Sequence, residues 1–397
     1  MKKQRILILA TTASMIKQFN MHNIDILRSL GAEVYVGTNF YSPGTITNDS
    51  SNKLRSELQE KGVKCFQIDF KRGIGTHKSN KQALKEICNI ISSEKITGIH
   101  AHSPLGGIIG RRAAHKKNIK IIYTAHGFQF FRGGPIKNWI IFFPVEWFYG
   151  RWTDALITIN KQDFKISKKI PAKNKYYIPG IGIDISQDVN YSETRKKARQ
   201  KLGLNKDDYL IISVGELNKN KNHLTVLRAI SRLNNPKIKY MIAGIGPERK
   251  ELLRLSEKLK LGKNFKLLGY LENLQDLYCA ADLNVFISKR EGLGLAGLDG
   301  IKYGLYIIGS KRTGMKDYIT SDKIGLLVDS PTNVDEVASM IYKALKGSRR
   351  ISDKSILKKF SYTNVDKKMK FIYKKEFLAN ERINKYGATC KHNHERT

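Results

Sequence analysis

Residues 283–304 read Leu-Asn-Val-Phe-Ile-Ser-Lys-Arg-Glu291-Gly-Leu-Gly-Leu-Ala-Gly-Leu-Asp299-Gly-Ile-Lys-Tyr-Gly304. The run Leu283–Ile287 has the pattern of a buried strand, and the residues from Leu295 open a helix. Glu291 therefore stands where a strand ends, and Asp299 about two helical turns further on. Between them lie a glycine-rich turn and a helix N-terminus, whose free amides suit an anion such as a diphosphate. Carboxylates are acceptors and suit hydroxyl groups.

Outward from this stretch, strands and helices alternate. In the second half the strand-like runs are Leu210–Val214, Lys239–Ala243, Phe265–Leu268, Leu283–Ile287, Tyr306–Gly309 and Gly325–Val328. Helical patterns cover His223–Leu233, Pro247–Leu259, Asn273–Ala280, Leu295–Lys302 and Asn333–Leu345. The first half repeats the scheme with runs at Arg5–Thr12, Glu33–Thr38, Cys65–Phe70, Ile96–His102, Lys120–His126, Ala155–Ile159 and Tyr176–Pro179. Such alternation means βαβ units and parallel sheets. The expected fold is α/β, with two doubly wound Rossmann-like domains facing a central cleft. Their expected bounds are residues 1–182 and 183–360. The basic stretch Tyr191–Leu204 suits a linker plus a surface helix. Residues 361–397 are expected to form a helix returning to the first domain, ending in a mobile tail. In such sheets ligands bind beyond the carboxyl ends of the strands, where each notable motif falls.

The chain has 397 residues, with 71 Lys+Arg against 35 Asp+Glu and a net charge of +36. That excess implies an anionic partner: a lipid surface, a nucleic acid or a phosphate-bearing substrate. No recognition helix, finger or stacking motif supports nucleic acid, so none is expected. Cys65, Cys88, Cys279 and Cys390 have neither metal-ligand nor disulfide spacing and fit a reducing compartment. The first apolar run is short for a signal peptide and reads as a strand. The expected location is cytoplasmic, peripheral to the inner face of the plasma membrane.

Four further motifs sit at strand ends. Ser213-Val-Gly215-Glu216-Leu-Asn-Lys219-Asn-Lys221-Asn-His223 places cations after a glycine. Tyr123-Thr-Ala-His126-Gly-Phe128 places a histidine at the end of a strand. His100 and His102 share one strand face; a metal would need more ligands, and none is expected. His102 is expected to face an acceptor or a phosphate, with His100 as buried support. Thr12 and Ser14 follow the first strand and either contact acceptor oxygens or cap the next helix.

At these residues the chain resembles the retaining glycosyltransferases of family 4, which have the GT-B fold. Glu291-Gly-Leu-Gly-Leu-Ala-Gly-Leu-Asp299 follows the family's E-x7-E form, with Asp299 in place of the second Glu. The resemblance implies that Glu291 faces the donor sugar and Asp299 the ribose. Gly292, Leu293, Gly294 and Leu295 would serve the diphosphate with Lys221 as its cation, and His126 would lie beside the sugar. Gly215 marks the turn before that cation. Glu216 stands where the family more often has Arg, and two compensations are open: Lys219 supplies the charge, or Glu216 positions Lys221. Gly244-Ile-Gly246-Pro247 looks like the turn that shapes the base pocket. Pro179–Asp184 matches the interdomain turn.

The implied reaction moves a hexose or N-acetylhexosamine from a nucleotide-sugar, on UDP, to a polyprenyl-diphosphate-linked surface glycan of the capsule or exopolysaccharide type. No cofactor is expected beyond this co-substrate. A nucleotide-sugar epimerase of the same fold is the alternative. The aromatic segment Trp139–Trp152, with Arg132, Lys137 and Arg151, reads either as a lipid-interface helix or as a core helix with Glu146 and Arg151 at its polar edge. The basic runs Arg111–Lys120, Arg195–Lys201 and Lys367–Lys375 add to the expected attraction to anionic lipid.

Overall fold

The structure, a computed structural model, describes residues 3–71, 73–185, 191–347 and 350–379. The proposed mobile tail and Cys390 lie outside them.

Among the described residues thirteen strands form two sheets. The first holds β1 (Arg5–Leu9), β2 (Glu33–Thr38), β3 (Lys64–Gln67), β4 (Gly98–His102), β5 (Lys120–Ala125), β6 (Ala155–Thr158) and β7 (Asn174–Tyr177). The second holds β8 (Tyr209–Val214), β9 (Ile238–Ala243), β10 (Phe265–Gly269), β11 (Leu283–Phe286), β12 (Tyr306–Ser310) and β13 (Gly325–Val328). The orders are β3-β2-β1-β4-β5-β6-β7 and β10-β9-β8-β11-β12-β13, and the strand pairs are parallel. Both sheets are thus doubly wound, with switch points between β1 and β4 and between β8 and β11. Crevices open there beyond the strand ends. Helices cover both faces, so central strands are apolar throughout: Ile6, Leu7, Ile8 and Leu9 are all fully buried.

The chain passes between the sheets near residue 183 and returns near residue 361, and these crossings pair. Ile183 N donates to Phe360 O at 2.9 Å, and Tyr362 N to Ile183 O at 3.1 Å. The helix Tyr362–Tyr373 then lies on the first sheet's domain. Its Tyr373 hydroxyl is 2.7 Å from His100 Nδ1.

Several basic residues expected to attract lipid are instead engaged inside the fold. Arg111 is buried and pairs with the buried Glu146 at 2.9 Å, since neither charge tolerates an apolar interior alone. Arg195 and Arg199 both reach Asp282, at 2.5 and 3.2 Å, and also bind carbonyls of residues 279–281. Glu146 is therefore not on the polar edge of its helix. That helix, Ile136–Gly150, divides by face. Trp139, Phe142 and Phe143 pack on the core, while Ile136, Ile140, Ile141, Trp147 and Phe148 are exposed. No helix among the described residues is long and apolar enough to cross a membrane.

Candidate active site

Glu291 and Lys221 approach from two loops at the second sheet's switch point. The β8 loop is shaped by Asn218, whose Oδ1 accepts from Asn220 N and Lys221 N, both at 3.0 Å. Asn220 then joins this loop to the one after β11. Its Nδ2 donates to Arg290 O at 2.7 Å, and its Oδ1 accepts from Arg290 N at 3.0 Å. The result is an ion pair, Lys221 Nζ to Glu291 Oε2, at 2.7 Å. Both side chains keep about a fifth of their surface open, so an incoming anion reaches them. Lys221 also lies over the Phe286 ring, 4.6 Å from its centroid. A side chain at Gly215 would press on the Lys221 stem at 3.3 Å.

The compensations offered for Glu216 resolve only partly. Glu216 accepts from Asn218 Nδ2 at 2.9 Å. Lys219 is exposed, and its charge acts on Glu248. Gly244 and Gly246 lie beneath the β8 loop: a Cβ at Gly244 would fall 1.9 Å from Gly215 O, and one at Gly246 2.5 Å from Leu217 O. Their place is as the floor of the loop carrying Lys221.

The turn after Glu291 is equally constrained. Gly294, at φ +82°, takes a left-handed conformation that glycine adopts freely, and it opens the helix Leu295–Lys302. Tyr318 Oη donates to Gly294 O at 2.9 Å, and Asn284 Nδ2 to Ala296 O at 2.7 Å. Leu293 is buried. Asp299 is half-buried on that helix, and burial raises its carboxyl to about 6 against the opposing charge of Lys302.

The first domain meets this turn directly. A Cβ at Gly292 would sit 1.9 Å from His126 O, so only glycine allows the two backbones to touch. Arg290 fastens the contact. Its Nε donates to Phe128 O at 2.7 Å, and its Nη2 reaches Asp163 Oδ1 and Oδ2 at 3.0 and 2.8 Å. Asp163 is fully buried and also accepts from Phe128 N at 3.1 Å. Nearby, Lys161 N donates to Asp317 Oδ2 at 2.8 Å.

His126 is therefore held against the turn that follows Glu291. Its Nε2 is 3.0 Å from His102 Nδ1, and its ring meets Phe19 edge-on at 5.1 Å. Burial lowers His126 to about 4 and His102 well below the ordinary value, so both are neutral near pH 7. His102 Nε2 and His126 Nδ1 are buried without a partner. His102, expected to face an acceptor, stands instead behind His126. His100 is a buried support, bonded to Tyr373 and to Thr124 Oγ1 at 2.8 Å. Thr12 holds the N-cap position of its helix but makes no side-chain cap. Its hydroxyl is 3.1 Å from that of Ser14, which is buried. Among the described residues no group of three or more His, Cys, Asp or Glu is arranged to hold a metal ion.

Asn220, Arg290, Asp163 and Tyr318 escaped the reading of the sequence. The one signal available was the pair of polar residues flanking the motif, Asn284 inside an apolar strand and Arg290 directly before Glu291.

Known proteins resemble this chain in sequence and in fold. A family profile described as "Glycosyl transferases group 1" matches residues 194–360, and one described as "Glycosyl transferase 4-like" matches residues 44–160. A protein named as a glycosyltransferase, EpsD, of Bacillus subtilis (strain 168) is 29% identical over 82% of this chain and 83% of its own length. The Escherichia coli UDP-Gal:alpha-D-GlcNAc-diphosphoundecaprenol alpha-1,3-galactosyltransferase is 26% identical over 70% of this chain and 74% of its own. Among solved structures, Anabaena Alr3699/HepE in complex with UDP-glucose superposes with a TM-score of 0.74 over 94% of this chain and 99% of that one, at 15% identity. None of these matches favours the epimerase alternative. Two doubly wound sheets, the spaced carboxylates after β11 and these relatives together make the chain a glycosyltransferase of family 4, built on the GT-B fold.

Proposed function

We propose that the chain transfers a hexose or N-acetylhexosamine, with retention, from a UDP-sugar to a growing polyprenyl-diphosphate-linked surface glycan. The observation that carries this reading is the Lys221–Glu291 pair at 2.7 Å, set beside the open turn 292–295 and across from neutral His126. In the resting chain Glu291 holds Lys221. A diphosphate competes for that cation and is met by the amides of the turn and the helix N-terminus. Glu291, released, faces the sugar, and Asp299 takes the ribose hydroxyls. His126 and Glu291 hold the sugar hydroxyls from opposite domains. Lys221 and the amides stabilise charge on the leaving diphosphate, so the reaction needs no metal and no cofactor beyond the donor. Contact between the domains keeps water from the activated sugar. Thr12 and Ser14 belong to the acceptor side only through the loop they support.

The Escherichia coli relative, named for a diphosphoundecaprenol-linked acceptor, supports a lipid-linked acceptor here. The exposed apolar face of the helix Ile136–Gly150, with exposed Arg132, Lys137 and Arg151, supports a place at an anionic inner leaflet. Purified chain given UDP-sugars, a polyprenyl-diphosphate glycan and a chelator is expected to form product. Lys221→Ala and Glu291→Ala are each expected to lose about a hundredfold or more in kcat. Undiminished turnover in both variants would remove this mechanism.

A further inference from the structure

A cavity of about 160 Å³ lies in the first domain, lined mainly by Leu105, Ile108, Phe128, Phe130, Phe142 and Val145. Gly127 and Phe128, which directly follow His126, form part of its wall. The cavity therefore borders the loop that follows His126. At its floor Glu146 binds Arg111 at 2.9 Å and accepts from the Tyr123 hydroxyl at 3.3 Å, while Arg111 Nη2 is buried without a partner. An apolar ligand therefore leaves no buried polar atom of Glu146 or Tyr123 unmatched, and the mainly apolar wall offers few partners to the hydroxyls of a sugar. An apolar cavity of about 150 Å³ accepts a molecule the size of benzene. This one has room for about one branched five-carbon unit.

The surroundings extend the same chemistry outward. Of eleven large apolar side chains exposed among the described residues, six lie here: Ile74 at the cavity wall and Ile136, Ile140, Ile141, Trp147 and Phe148 on the adjoining helix. Ile141 and Val145 are four residues apart and so stack on one helix face. The exposed apolar face consequently runs into the cavity wall without a polar break. Exposed Arg132 and Lys137 flank the point where the loop from the cleft becomes this helix, complementing a diphosphate.

We infer that this cavity is a binding site for the isoprenoid part of a polyprenyl-diphosphate acceptor, seating a unit near the diphosphate while the rest of the chain follows the exposed helix face into the bilayer. This rests on the function proposed above and adds the subsite that selects a branched lipid.

All three tryptophans, Trp139, Trp147 and Trp152, lie on or just after this helix, so selectively excited tryptophan fluorescence reports on it. Full-length protein titrated with farnesyl diphosphate is expected to show a saturable change that inorganic diphosphate does not give. Filling the cavity by Val145→Phe or Ile108→Phe is expected to weaken that binding by about tenfold or more, with the UDP-glucose-induced rise in Tm unchanged. Volume-conserving Leu105→Met is expected to bind like the parent. Equal binding by the filled variants would overturn the site. So would a response to anionic vesicles alone, with none to farnesyl diphosphate, which would mark adsorption to a lipid surface. Absence of a thermal shift with any UDP-sugar would instead strike at the proposed function. A donor shift without an isoprenoid response would strike at the cavity only.

Discussion

In the function proposed above, Asp299 trades stability for binding of the ribose. Burial raises its carboxyl from 3.8 to about 6. Between those values the folded chain holds more protons than the unfolded one, so stability falls as pH rises through this window and stays lowered at pH 7. Such a cost, on the order of 3 kcal/mol at most, is expected at a group kept for a ligand. Asp299→Asn is therefore expected to raise Tm at pH 7.5 and to leave it nearly unchanged near pH 4, while weakening the Tm rise that UDP-sugars give. An unchanged Tm difference at the two pH values would show that the charge is not the source. Asn220 acts at the same scale without any charge. Its two bonds to Arg290 hold Lys221 within reach of Glu291. No spacing rule marks it, because an asparagine in a polar loop ordinarily reads as a turn former.

At the level of elements, strands were legible to within a few residues. β2, β13 and the helices His223–Leu233 and Leu295–Lys302 have the expected ends. Parallel strands buried on both faces give continuous apolar runs, and these are the clearest signal a sequence carries. Loop-to-loop contacts were not legible, because they join positions far apart in the chain. The latch from Arg290 to Asp163 spans 127 residues, and neither residue betrays it alone. A separation of 35 residues likewise hides the Arg111–Glu146 pair, which turned an expected lipid-attracting cation into a buried one. Arg290→Ala would leave the fully buried Asp163 without its cation, at an expected cost of about 3–5 kcal/mol. It would also free the loop 126–128 from the Glu291 turn. The expected result is a lower Tm together with a kcat that falls by at least about tenfold, more than the donor KM changes. Asp163→Asn keeps a hydrogen-bond acceptor and should be milder in both. If Arg290→Ala loses stability while kcat stays at the parental value, the latch holds the fold only.

Across the whole molecule, the returning helix and the cleft are joined by a column of histidines. Tyr373 on that helix bonds His100, whose ring centroid lies 4.1 Å from that of His102, and His102 bonds His126 at the cleft. His100 and His102 are buried and His126 half-buried, and desolvation depresses each: His100 to about 3, His126 to about 4, His102 well below its ordinary value. His223, at the start of the helix after the Lys221 loop, is lowered to about 4 by burial and by Lys221. Unfolded, all four would take up protons near 6.5. Between about 4 and 6.5 the unfolded chain thus holds more protons, so stability is full above 6.5 and is lost as pH falls through that range. This opposes the Asp299 effect, and four histidines outweigh one aspartate. Tm is expected to be flat above pH 7 and to fall steadily from 6.5 toward 4. His100→Gln retains groups able to bond Tyr373 and Thr124 but cannot take a proton in this range. It is expected to flatten the acid limb measurably, with Tm at pH 7.5 lowered only modestly. Should the acid limb of His100→Gln run parallel to the parent's, protonation of this column would not be what destabilises the protein in acid.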